Sequence, residues 1–120
     1  FDRDQMPLEY GSASYGDIWG EAAEGKATVR AHSALVGLGL WLEAEGKLPR
    51  PLRDAFASPE AQTEIFDVIL AEAIARKGNI IQFWNNENEA QGAFRINGAA
   101  VGQTWDSTAA ALAMRRGCCR

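Results

Sequence analysis

The densest group of oxygen-bearing side chains in this 120-residue chain is Asn85-Asn86-Glu87-Asn88-Glu89-Ala90-Gln91. Hard cations take oxygen ligands, and a glycosidase needs two carboxyl groups held at different pKa values. The run lacks the Asp-x-Asn-x-Asp-Gly pattern of a calcium loop. Glu87 and Glu89, two apart in a strand-like stretch, would point the same way as like charges. The segment is read as a solvated hairpin loop in which Asn86, Glu87, Asn88 and Glu89 are the ligand candidates.

His32 is the only histidine. Any Ser-His-Asp or Cys-His arrangement would have to use it, but Leu35 and Val36 place it beside an apolar helix face, as a structural residue. One histidine and two vicinal cysteines do not make a tetrahedral zinc set at a familiar spacing, so no metal site is predicted. Cys118 and Cys119 are adjacent, and neighbouring Cα atoms about 3.8 Å apart fall below the usual disulfide range of about 4.4–6.8 Å. They read as thiols on a frayed terminus. No G-x-G-x-x-G follows a strand and no G-x-x-x-x-G-K-[ST] is present, so no nucleotide loop or other cofactor site is expected.

Four tryptophans, Trp19, Trp41, Trp84 and Trp105, are many for this length. Trp41 belongs to a core. Trp84 and Trp105 border turns in the part read as sheet, where an indole can stack on a sugar or anchor a protein interface. Met6, Leu8 and Tyr10 alternate within residues 1–13, a stretch without sustained periodicity. That pattern suits an extended arm laid against the core or against a partner.

The elements that must position these residues change character at Gly78. Before it, alanine, leucine and glutamate recur at helical spacing. Ser14, with Asp17 three residues on, starts a short helix over about 15–24. Thr28 is the expected cap of a second helix whose Ala31, Leu35, Leu38 and Leu42 share a face, ending near Gly46, with a buried strand over 35–42 as the alternative. Gly37 and Gly39 inside it suggest that another backbone lies close. Leu52 and Phe56 make one helical turn. Ser58 as N-cap, Pro59 at the first helical position and Arg76 and Lys77 in the last turn define a third helix, with Ile65, Ile69 and Ala73 in one row and Phe66, Leu70 and Ile74 in the next.

After Gly78 the residues favour strands near 79–84, 92–96 and 99–104, and Asn97-Gly98 is the favoured two-residue hairpin signal. Asp106 or Ser107 caps a final helix that Gly117 stops. The fold expected is α+β, about four helices packed on a small two- or three-stranded antiparallel sheet. Its organisation is an extended arm over 1–13, one globular domain over 14–117 and a tail over 118–120.

Composition narrows the function classes. Hydrophobic residues make up 47% and charged residues 23%, as in ordinary globular domains. The net charge is −4, with eight acids against three bases in residues 1–45 and eight against nine in 46–120. Duplex binding needs clustered Lys and Arg, and the only basic cluster is Arg115, Arg116 and Arg120, so nucleic acid is not an expected partner. The longest strongly apolar run, Ala34 to Leu42, is far below the roughly 20 residues of a bilayer span. No signal peptide is visible, and the start at Phe1 is that of a fragment, a trimmed chain or a processed product.

With no catalytic set assembled, the leading expectation is a non-enzymatic protein-binding or assembly subunit, contacting a protein partner through Met6, Leu8, Tyr10, Trp84 and Trp105. The alternatives are a small hydrolase or carbohydrate-binding domain using Glu87 or Glu89 with Trp84 or Trp105, and an acidic inhibitor that occupies the nucleic-acid groove of another protein.

Overall fold

The structure, a computed structural model, describes residues 1–115. The expected helix stop at Gly117, the basic residue Arg116 and the Cys118-Cys119 tail lie outside the described residues. Helices and strands are both present as expected, but the sheet is parallel: β1 (Ala27–Val29) lies between β2 (Ile80–Phe83) and β3 (Val101–Gly102). Among the described residues five α-helices accompany it: α1 (Gly16–Trp19), α2 (Ala31–Ala44), α3 (Pro59–Arg76), α4 (Glu87–Arg95) and α5 (Asp106–Arg115).

The antiparallel hairpin fails at one place. Residues 87–95, which include most of the expected strand at 92–96, form α4. Asn86 Oδ1 accepts from the Glu89 backbone N–H at 3.0 Å, Glu87 and Glu89 occupy the positive first turn, and Ala90 and Ala93 face inward. The helix closes with the Ile96 and Asn97 N–H groups both donating to the Gly92 carbonyl, and Gly98 follows at φ +82°. A helix terminus and a hairpin turn both favour glycine at positive φ, so Asn97-Gly98 marks either. Residues 84–100 then form a crossover long enough to return the chain parallel to β2. The expected strand at 99–104 shortens to β3.

Residues 27–29 form β1 rather than the approach to a helix cap, and because all three are buried they show no alternation. Thr28 does not cap α2. It is fully buried, and its Oγ1 donates to the Gln82 carbonyl at 2.8 Å. Helix α2 instead begins after Arg30, without a side-chain cap. Ala27 and Val29 share a core with Leu38 and Leu42 of α2 and Ile65 and Ile69 of α3, while α4 and α5 pack on one another. The α2 glycines accommodate side chains rather than another backbone. A Cβ on Gly39 would meet Ile69 Cδ1 at 2.8 Å, and one on Gly37 would meet the Tyr15 ring at 2.6 Å.

Helix α3 follows its sequence signals, with Ser58 Oγ accepting from the Ala61 N–H and Pro59 at the first position. Ile65 and Ile69 are sealed, Ala73 and Phe66 are half-buried, and Leu70 and Ile74 are exposed. The short helix expected over 15–24 breaks after Trp19 and resumes as a 3-10 turn at Glu21–Ala23. Residues 1–8 are bound into the fold: the Asp2 N–H donates to the Ala100 carbonyl at 2.7 Å, Met6 joins the main core, and Leu8 packs against it. Among the described residues no helix is long and apolar enough to cross a membrane.

Candidate functional site

Because the three strands are parallel, the residues that follow them emerge at one end of the sheet: Arg30 after β1, Trp84 after β2, and Gln103, Thr104 and Trp105 after β3. Ligands of open parallel sheets bind at this carboxyl end. Backbone bonds fix the arrangement. The Trp84 N–H donates to the Val29 carbonyl at 3.1 Å, continuing the β1–β2 ladder by one residue, and the Gln103 N–H donates to the Thr28 carbonyl at 3.1 Å. The indole of Trp84, 2% exposed, donates from Nε1 to the Gln103 carbonyl at 2.9 Å, tying the end of β2 to the end of β3 across the central strand.

Trp105 stands edge-on to Trp84, and the Arg30 guanidinium lies 5.9 Å from the Trp84 ring centre and 5.6 Å from that of Trp105. Two indole faces thus hold one cation, an attraction that strengthens as water is removed. No hydrogen bond or ion pair among the described residues engages that guanidinium, and its Nε is buried without a partner.

Arg30, both tryptophans and Gln103 line a cleft of about 640 Å³, within the range of about 300–1,000 Å³ typical of small-molecule sites. Its lining also includes Ala13-Ser14-Tyr15 with Asp17 and Ile18 of α1. Of the capping box expected from Ser14 and Asp17, one half forms: the Ser14 N–H donates to Asp17 Oδ2 at 2.6 Å, whereas Ser14 Oγ accepts from the Gly16 N–H at 3.1 Å rather than from that of Asp17, and α1 starts after Tyr15. Gln103 donates from Nε2 to the Ser33 carbonyl at 3.3 Å and so braces the strand end against the first turn of α2. The arrangement can bind a negative group at Arg30 and an apolar body along Leu8, Ile18, Val101 and Trp105.

Of the residues singled out from sequence, Trp84 and Trp105 come together at this site, and Leu8 lines its edge. Met6 is 5% exposed in the core, whereas Tyr10 projects outward at 91%. Asn86, Glu87, Asn88 and Glu89 form the start of α4 rather than a loop. Glu89 accepts the Asn85 N–H at 2.7 Å, and Glu87 accepts from Gln91 Nε2 at 2.8 Å and Ser107 Oγ at 2.7 Å. The bond from Gln91, then that from Ser107, holds the Glu87 carboxyl below its ordinary value, opposite to the shift a general acid needs. Exposed His32 sits in the first turn of α2, and among the described residues no three His, Cys, Asp or Glu side chains gather around a metal-sized space.

Sequence reasoning missed Arg30, Asp17 in its role on the cleft wall, Tyr15 and Gln103. Recognising β1 would have revealed Arg30, since a charged residue directly after a buried parallel strand stands at the carboxyl edge of the sheet. Compared with protein-family models, curated proteins and solved structures, the chain matches none.

Proposed function

We propose that this domain is a binding module for a small organic anion, held in the cleft at the carboxyl end of the sheet. The observation that carries the reading is Arg30: a cation packed between two indoles, facing a cleft, without an acidic partner among the described residues. Arginine fits carboxylate and phosphate through two parallel N–H···O bonds, and Trp105, 41% exposed, offers the adjoining apolar surface. Titration of the chain with small carboxylates and phosphates of graded apolar bulk, followed by tryptophan fluorescence, tests the reading. Saturable binding by wild type and its loss in Arg30→Gln support it; equal responses in the two proteins refute it.

A second reading is a protein-binding or assembly subunit that uses residues 1–13 and the sheet-side aromatics. It is favoured by β2, an edge strand with Ile81 44% and Phe83 53% exposed; an unpaired strand edge accepts a further strand. Affinity capture with wild type and Phe83→Asp tests it. A partner retained only by wild type supports a contact at β2, and identical capture profiles count against one.

A further inference from the structure

The cleft is lined by two opposite charges, Arg30 and Asp17, and no ion pair joins them. Arg30 follows β1 at the end of the sheet; Asp17 belongs to α1, where its Oδ2 accepts from the Ser14 N–H and its Oδ1 takes no hydrogen bond from a described residue. Ile18, Val101 and Trp105 add apolar surface to the same lining. A ligand with only an anionic group would satisfy Arg30 and leave Asp17 as an uncompensated negative charge in the same cleft, which opposes anion binding. A ligand carrying both signs satisfies both residues.

From this juxtaposition we propose that the ligand is a zwitterion, a free α-amino acid with an apolar side chain, whose carboxylate meets Arg30 and whose ammonium meets Asp17. The inference rests on the anion-binding reading of the same cleft. The arginine fork supplies two donors to the carboxylate, and Asp17 supplies an acceptor to an ammonium that has three donors. The Ser14–Asp17 pair holds the carboxylate of Asp17 in place before the ligand arrives, and the indoles do the same for Arg30, so little ordering remains on binding. The ligand side chain lies against Ile18 and Trp105.

The test uses the unmodified chain first. Calorimetric titrations compare phenylalanine and leucine with their N-acetyl derivatives, which keep the carboxylate and lose the ammonium, and with phenethylamine and isoamylamine, which keep the ammonium and lose the carboxylate. Each deletion is expected to weaken binding by about 10- to 100-fold, the usual effect of losing a hydrogen-bonded charged group. Asp17→Asn should weaken the free amino acids by about tenfold while leaving the N-acetyl acids unchanged or tighter. N-acetyl acids binding wild type as tightly as the free amino acids would overturn the zwitterion and leave the anion-binding reading standing. Binding of neither set would overturn both.

Discussion

The indole of Trp105 meets that of Trp84 edge to face, ring centres 5.0 Å apart and planes at 77°. The two rings come from the ends of different strands, and their burial differs sharply: Trp84 is sealed and Trp105 is 41% exposed. The inner ring acts as a strut between β2 and β3; the outer ring is surface held ready by the inner one.

That division of labour predicts unequal mutational costs. Trp84→Ala empties a buried site and strips the Gln103 carbonyl of its indole donor, for a loss of about 3–5 kcal/mol. Trp105→Ala removes mainly the edge-to-face contact, about 1 kcal/mol. Urea denaturation of the two variants checks the order, and a larger loss at Trp105 would contradict the strut.

Two glycines give effects of opposite sign. A Cβ on Gly102 would collide with the carbonyl oxygen and Cγ2 of Thr28 in the neighbouring strand; Gly102→Ala should therefore destabilise by about 2 kcal/mol or more, because backbone cannot yield cheaply. Gly92, inside α4, has open space around a Cβ. Gly92→Ala should stabilise by about 0.5–1 kcal/mol. Thermal unfolding of the pair measures both.

The parallel sheet depends on α4 closing the crossover, and α4 depends on its cap. Asn86→Ala frees the Glu89 N–H and should cost about 1 kcal/mol. Hydrogen exchange should show the loss concentrated in α4. Unchanged exchange at Glu89 would show that the cap contributes nothing.

Glu87 sets a pH dependence. Its carboxyl is held lower when folded, by Gln91 and then Ser107, than its ordinary value of 4.5, so its stabilising contribution is complete above that value and is lost as pH falls through the lowered one. Glu87→Gln should therefore be less stable than wild type near neutrality, with the gap narrowing in acid below pH 4.5. Chemical denaturation at a series of pH values reads the gap directly, and a constant difference would contradict the pairing.

Much of the helical half was legible because its signals are local. Ser58 and Pro59 start α3 within one turn, and the 3.6-residue spacing of Leu38 and Leu42 in α2 needs only the helix itself. The Ser14–Asp17 pair was legible for the same reason. At Asn97-Gly98 local information ran out, since a glycine at positive φ ends a helix as readily as it turns a hairpin. What separates the two outcomes there is Asn86, eleven residues upstream.

The amino-acid order by itself settled that helices and strands would coexist, where α2 and α3 run, and that no stretch of residues 1–115 makes a membrane-spanning helix. Tertiary structure alone decided the direction of the strands and the composition of the cleft. β1 has three residues, too few to show a period, and gains its identity only from ladders to residues more than fifty positions away. Arg30, Trp84 and Trp105 are remote in sequence and become neighbours because parallel strands deliver their ends to one edge, a consequence of long-range hydrogen bonding that no local pattern encodes.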